Sequence, residues 1–224
     1  MSSGSRANWP NCGSRCRILN EIAVGRSPGS LIVLSAPSGA GKTSICRQIL
    51  RMFPDIRFSV SSTTRPPRPG EVEGKDYVFL SQEEFRERID RGEFIEWVEN
   101  YGQLYGTSKK TMDAFLERGH DLILDIEPRG AKAIREHYPR AIFVLILPPS
   151  LAELKSRLAK RGECAAVMER RLRTALDEIR AALWYDYVIF NERLDEAIDR
   201  FRAVYIAEKC RRDRHAERIA AFLR

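Results

Sequence analysis

Cysteine is sparse in this chain of 224 residues, long apolar runs are missing, and acidic residues are scarce near the amino terminus. The five cysteines, Cys12, Cys16, Cys46, Cys164 and Cys210, form no CxxC pair and no zinc-type spacing. Cys12 and Cys16 are close in sequence, but no nearby His or Cys completes a tetrahedral set. Neither a disulfide framework nor a Cys/His metal centre is therefore expected. Reduced thiols and a cytoplasmic setting follow as the expectation. The longest apolar run, Ala141 to Pro149, is of strand length, well short of the ~18 residues a membrane-spanning helix needs. No membrane partner is expected. Residues 1–30 hold a single acidic residue, Glu21, beside six Ser, four Gly and two Pro. They lack a secretory apolar run and show no periodicity outside Ile18–Val24, so a disordered extension is expected. Arg- and Ser-rich, acid-poor composition also describes an organelle transit peptide.

What is present suits one globular domain. The length buries about 70% of the surface an unfolded chain exposes, enough to fold without staples. Composition excludes a disordered chain, a collagen-like repeat and a coiled coil. The formal net charge is +7, carried mainly by arginine. It suits an anionic partner: nucleic acid, an acidic membrane surface or nucleotide phosphates.

Order is expected to start at Leu31. Leu31–Ser35 reads as a buried strand and is followed by a Gly/Ser/Pro turn. A helix carrying Ile45, Ile49 and Met52 comes next and ends before Pro54. Extended segments are expected at 56–62, 77–80, 94–98, 122–126, 141–147 and 187–190. Helices are expected at 81–91, about 130–138, 151 to about 184, and from about 194. Apolar strands alternating with helices imply an α/β fold with a parallel sheet wrapped on both faces.

The first strand-to-helix turn carries the chemistry. Ser35-Ala36-Pro37-Ser38-Gly39-Ala40-Gly41-Lys42-Thr43 matches the GxxxxGK[ST] phosphate loop, with Ala36 at the first glycine. Residues 36–43 are the expected ATP contacts. Gly39 and Gly41 let backbone N–H groups turn inward onto a phosphate, and the following helix adds its positive end. Lys42 would reach the β- and γ-phosphates, and the Thr43 hydroxyl would hold Mg²⁺. Asp125 ends a buried strand, where a second Mg²⁺-holding carboxylate sits; a helix cap is the other use of an Asp there.

The acceptor side lies downstream. Thr63-Thr64-Arg65-Pro66-Pro67-Arg68-Pro69-Gly70-Glu71-Val72-Glu73-Gly74-Lys75-Asp76-Tyr77-Val78-Phe79 resembles the substrate-binding segment of guanylate kinases, TTRxxRxGExxGxxYxF, at every fixed position. Arg65 and Arg68, three apart in a Pro-stiffened loop, can converge on one phosphate. Glu93–Trp97 and Tyr105-Gly106-Thr107 resemble further stretches of that family, and the resemblance runs from about Leu31 to Glu208. It implies that Tyr77 and Tyr105 bind the GMP phosphate and that Ser61, Glu96 and Thr107 contact guanine. It places Asp125 and Glu127 on the GMP side as well. A carboxylate suits guanine, whose N1–H and 2-amino group are adjacent donors; by itself, Glu96 would read as a half-exposed strand residue. Arg157, Arg161 and Arg171 match the family's phosphate-clamping lid arginines, and Asn191 an adenine-side position. Each of these residues taken singly would also suit a solvated surface. Asp125-Ile126-Glu127-Pro128-Arg129-Gly130 departs from the family's usual DID/EID-x-QG, and the stretch from Gly162 to Arg171 is one residue short.

The resemblance implies a P-loop three-layer fold with a parallel five-stranded core (31–59, 111–151 and 172–224), a GMP-binding insertion (60–110) and a lid (152–171). It also implies transfer of the γ-phosphoryl group of ATP to GMP or dGMP, with Mg²⁺ as cofactor. Small-molecule nucleotides, not nucleic acid, are the expected partners. A scaffold that kept the fold and lost the chemistry would lack the loop lysine or the lid arginines. A nucleic-acid binder would need a basic face with aromatic platforms.

Overall fold

The computed structural model describes residues 28–100, 102–160 and 165–223. The stretch 1–27, with Cys12, Cys16 and Ile18–Val24, lies outside the described residues, as do Arg161 and Cys164. In chain order the elements are β1 (Leu31–Ser35), α1 (Lys42–Met52), β2 (Ile56–Phe58), β3 (Ser62–Thr63), β4 (Val78–Phe79) and α2 (Gln82–Asp90). Then come β5 (Phe94–Asn100), β6 (Gln103–Ser108), α3 (Lys109–Glu117), β7 (Asp121–Asp125), α4 (Pro128–His137), β8 (Ile142–Leu147) and α5 (Leu151–Ala159). The last are α6 (Ala165–Arg180), a 3₁₀ turn at Ala181–Trp184, β9 (Tyr187–Phe190), α7 (Leu194–Lys209), a second 3₁₀ turn at Arg212–His215 and α8 (Ala216–Ala221).

Five strands form a parallel sheet in the order β2-β7-β1-β8-β9. Its central strands, LIVLS in β1 and IFVLIL in β8, are buried along their whole length, as parallel strands covered on both faces must be. Alternate side chains divide the core in two. Ile32 and Leu34 pack with Ile45, Ile49 and Phe201 under α1 and α7. Leu31 and Val33 pack with Met112, Ile134 and Phe143 under α3 and α4. The three-layer α/β expectation is met.

A second sheet, in the order β4-β3-β6-β5, is built from the segment between β2 and α3. Here β3 pairs with β4 in parallel and with β6 antiparallel, and β5 pairs with β6 antiparallel. Phe85 of α2 is fully buried against it and stacks on Phe94, with ring centroids 4.4 Å apart. Ser81 and Glu84 close a reciprocal cap that fixes the start of α2.

Four expectations need revision. Order begins before Leu31: Gly29 N–H donates to Leu116 O at 2.8 Å, and buried Ser30 N–H to Asp121 Oδ1 at 2.6 Å. Residues 103–117 form a strand and a helix that apolar periodicity alone leaves unassigned, because only one face of each is buried. The helical region from 151 is divided into α5, α6 and a 3₁₀ turn. Helix α4 starts at Pro128 rather than near 130, since proline fits a first helical position that needs no N–H donor.

Candidate active site

The turn after β1 delivers residues 36–41 to the carboxyl end of the sheet, with α1 pointing its amino terminus back over them. Gly39 (φ 94°) and Gly41 (φ 97°) adopt left-handed backbone that L side chains rarely take. A Cβ on Gly41 would also meet Asn191 Nδ2 at 2.2 Å. Lys42 opens α1, and its ammonium pairs with Asp125 Oδ1 at the end of β7. Burial opposes the charged amine, but Asp125, helped by Cys46 and Glu178, holds its pKa above the ordinary lysine value. Thr43 is exposed beside it. The hydroxyl of Thr43 and the carboxylate of Asp125 are hard oxygen donors, the kind Mg²⁺ takes.

Asn191 is buried against this loop. Its Nδ2 donates to Ala40 O at 2.7 Å, and its N–H to Leu147 O at 2.7 Å. That use of the amide nitrogen ties the phosphate loop to the end of β9. Arg157 of α5 donates from Nη2 to Asn191 O at 3.1 Å and from Nε to Glu153 at 2.8 Å. Arg171 of α6 donates from Nη1 to Ser38 Oγ at 2.8 Å, so it already touches the phosphate loop. Arg173, by contrast, pairs with Glu169 on an exposed face.

The smaller sheet gathers the acceptor-side residues. Arg65 Nη2 donates to both Glu71 carboxylate oxygens, at 2.7 and 3.0 Å, and Glu71 Oε2 also accepts from Arg68 N–H at 2.7 Å. Glu71 thereby sets the loop that presents both guanidinium groups, although the Arg68 side chain itself stays exposed. Glu71, with support from Tyr105, holds the Arg65 pKa above its ordinary value, and the Arg65 bond lowers that of Glu71. The Arg65 guanidinium lies 5.3 Å from the Tyr77 ring centroid, and the Tyr77 and Tyr105 rings are 6.3 Å apart. Ser61 is half-buried just before β3, and its carbonyl accepts from Val78 N–H at 3.0 Å.

Glu96 and Thr107 are paired across β5 and β6, on the face opposite Trp97. Glu96 is 9% exposed, whereas Trp97 is 49% exposed. Thr107 Oγ1 donates to Glu96 Oε1 at 2.6 Å, while Oε2 has no hydrogen-bond partner among the described residues. Burial pushes the Glu96 carboxyl up to about 7; the Thr107 bond works against the rise and the Glu127 charge adds to it. Gly130 makes room for this group. A Cβ there would stand 2.8 Å from Glu96 Oε2, so α4 can approach the carboxylate only because it has hydrogen at that point.

The loop after β7 joins the two halves. The Asp125 charge acts on Lys42 and also on Tyr77, and that of Glu127 on Glu96 and on Glu178 of α6. The structure thus brings the phosphate loop, the arginine loop and the buried Glu96 around one cleft. Three contributors escape the reading of the sequence: Glu71, Gly130 and Glu178. Glu71 carries a signal, a carboxylate three residues after Arg68 in the same Pro/Gly loop. Glu178 stands two helical turns after Arg171.

Comparison with known proteins agrees with this geometry. The family model described as guanylate kinase matches residues 29–208. A guanylate kinase of Syntrophus aciditrophicus (strain SB) is 56% identical over 195 residues, covering 87% of this chain and 94% of the relative. One from Geobacter sulfurreducens is 49% identical over 184 residues, covering 82% and 91%. The crystal structure of guanylate kinase from Anaplasma phagocytophilum superposes with a TM-score of 0.69 at 35% identity, covering 84% of this chain and 90% of that one. A phosphate loop facing a two-arginine loop and a buried carboxylate, on a fold and sequence matched this extensively, places the chain in the guanylate kinase family, the ATP:GMP phosphotransferases.

Proposed function

We propose that this cleft transfers the γ-phosphoryl group of ATP to GMP, and to dGMP, by positioning and charge neutralisation alone. The unpartnered Oε2 of buried Glu96 carries the assignment of the acceptor. A desolvated carboxylate lacking a donor is costly, and guanine offers two adjacent donors, N1–H and the 2-amino group. Thr107 already orients Oε1. Adenine would set a lone pair and a C–H against the same oxygens. Ser61 and Glu127 flank the base, and Arg65, Arg68, Tyr77 and Tyr105 take its phosphate.

On the donor side, backbone N–H groups of the loop at Ser38, Gly39 and Gly41, with the amino end of α1, receive the ATP phosphates. Lys42 exchanges Asp125 for the β- and γ-phosphates. Thr43 and Asp125 would hold Mg²⁺, which when bound supplies charge neutralisation on the phosphates. The GMP phosphate oxygen attacks the γ-phosphorus in line as its bond to the bridging oxygen of the β-phosphate breaks and ADP leaves, and no side-chain nucleophile is needed. Arg157, Arg161 and Arg171 close from the lid, neutralise the transferring group and exclude water. The bond from Arg171 to Ser38 supports that role, because it sets a lid guanidinium at the edge of the phosphate loop.

The same reading makes nucleotides, not nucleic acid, the anionic partners of this basic chain. The free thiols of buried Cys46 and exposed Cys210 suit work in the cytoplasm. No helix among the described residues is long and apolar enough to cross a membrane.

Coupled measurement of ADP release with GMP, dGMP, AMP, CMP and UMP tests the reading. GMP should exceed AMP by about 10⁴-fold in kcat/KM, the discrimination expected when a buried polar group is left unpaired. Equal use of AMP and GMP overturns the assignment.

A further inference from the structure

Side chains of β1 alternate between the two cores, and Leu31, Val33 and Ser35 fall on the face packed by α3 and α4. Leu31 and Val33 meet apolar neighbours there. Ser35, 0% exposed, sets a hydroxyl into the same layer, opposite Leu145 of β8 in the register. A buried hydroxyl without a partner is costly, so the bond it makes matters. Ser35 Oγ donates to Ile126 O at 2.6 Å, across 91 positions of sequence.

That bond sits where two strands part. The β1–β7 ladder ends at Leu34 and Asp125, and Ile126 N–H gives a last backbone bond to Leu34 O at 3.2 Å. One strand then enters the phosphate loop at Ala36, and the other continues through Glu127 at the amino cap of α4. The Ser35 hydroxyl holds the two together just beyond the ladder.

Ile126 belongs to both halves of the cleft. On its amino side, Asp125 pairs with the Lys42 ammonium. Its own side chain lies beside the base pocket: a Cβ on Gly130 would meet Ile126 Cδ1 at 2.6 Å and Glu96 Oε2 at 2.8 Å. Ile126 and the Glu96 carboxylate therefore crowd the same point of α4. A shift of the Ile126 peptide moves the phosphate-side carboxylate and the wall of the base pocket at once.

We infer that Ser35 is a positioning residue for phosphoryl transfer: its hydroxyl sets the Asp125–Glu127 loop against the phosphate loop and so aligns the two nucleotides across the cleft. The inference rests on the phosphoryl-transfer reading above. Ser35 is sealed beneath the loop and touches neither nucleotide, each of which is gripped by other groups. Loss of the hydroxyl leaves each grip in place but misaligns the attacking oxygen and the γ-phosphorus, where an error of about 1 Å costs up to 10²-fold in rate. The penalty falls on turnover and not on affinity.

Three variants separate positioning from plain stability: Ser35→Ala, Ser35→Thr and Tyr205→Phe. Tyr205 supplies the control at the opposite end of the same strand, where its hydroxyl donates to Asp121 Oδ2 at 2.6 Å as β7 begins. Melting temperatures are read beside steady-state kinetics with ATP, Mg²⁺ and GMP. Ser35→Ala and Tyr205→Phe should each melt lower, by on the order of 5 °C, since each deletes a buried hydrogen bond. Only Ser35→Ala should lose turnover, by about tenfold in kcat, with both KM values within about twofold of wild type. Ser35→Thr keeps the donor and should recover part of that loss. If Ser35→Ala melts too low to assay, Ser35→Cys, a weak donor of similar size, replaces it with the same expectation. Wild-type kcat in Ser35→Ala, an equal kcat loss in Tyr205→Phe, or a loss confined to one KM overturns the inference. So does a Ser35→Thr that melts with wild type yet turns over like Ser35→Ala. Wild-type turnover of GMP in the same assay separates the two readings. If it is absent, the phosphoryl-transfer reading fails; if it is present and Ser35→Ala matches it, only this inference fails.

Discussion

The two sheets are stabilised in opposite ways. The parallel sheet owes its order to apolar burial: β1 and β8 are sealed along their length, and a core packs on each face. The smaller sheet packs on one face against Phe85 of α2, and polar contacts shape its other face and its arginine loop. Glu71 holds the arginine loop, Thr64 Oγ1 bonds Gln103 Oε1 at 3.1 Å, and Thr107 holds Glu96. The first sheet is thus a rigid base for phosphate chemistry. The second is a recognition surface that keeps a buried carboxylate oxygen without a partner. Such a surface trades stability for selectivity, and the two sheets should fail differently when altered.

The largest effect belongs to the rigid base. Lys42→Ala should lower kcat about 10³-fold, as removal of a cation or donor from developing charge does. GMP binding, followed by calorimetry, should persist. Near-normal turnover in the purified variant would detach Lys42 from the reaction. On the recognition surface, Glu96→Gln should lower kcat/KM for GMP about 10²-fold, because its amide can accept from only one of guanine's two donors. Its KM for ATP should stay unchanged, and a parallel loss for both nucleotides would contradict the separation of the two halves. A smaller change follows from Glu71→Ala, which frees Arg65 and relaxes the loop. The GMP KM should rise about tenfold, the scale of losing hydrogen bonds to a charged group; an unaltered KM would remove Glu71 from the site.

Stability should move the other way. The Glu96 pKa is raised in the folded protein from 4.5 to about 7. The folded state therefore binds this proton more tightly than the unfolded chain does. That contribution is complete below about pH 4.5 and is lost as pH rises through about 7. Above that range, Glu96→Gln without ligand should be more stable than wild type by the order of 2–3 kcal/mol. The gap should close toward pH 5. Chemical denaturation at both ends of the range measures it, and a variant less stable than wild type throughout would contradict the cost assigned to the buried carboxylate.

This contrast also explains what could be read from the sequence. Apolar runs announced β1, β7 and β8, because a strand buried on both faces needs nothing but apolar side chains. The Gly41-Lys42-Thr43 turn was legible because backbone geometry and charge requirements coincide there. In the smaller sheet, β6 reads QLYGTS: Tyr105 and Thr107 share the Glu96 face while Gly106 lies against Phe85 and Phe94 on the other, and periodicity passes over it. Its recognition residues were legible only as a pattern, since Glu96 alone is indistinguishable from any half-exposed strand carboxylate. Tertiary approach was not legible at all. Gly130 matters because α4 passes close to Glu96, and Gly29 because its Cβ would stand 1.8 Å from the His120 carbonyl oxygen. These facts belong to packing between elements distant in sequence.

The most direct test of Glu96 as the guanine reader is the pH dependence of GMP affinity, measured by calorimetry for wild type and Glu96→Gln side by side. The ionised carboxylate accepts from guanine, so GMP binding to wild type should tighten as pH rises and level off above about 7. Ionisation of the GMP phosphate contributes equally to both proteins and cancels in their ratio. The account predicts that the wild-type advantage over Glu96→Gln grows through that range. A ratio that stays constant with pH would contradict it.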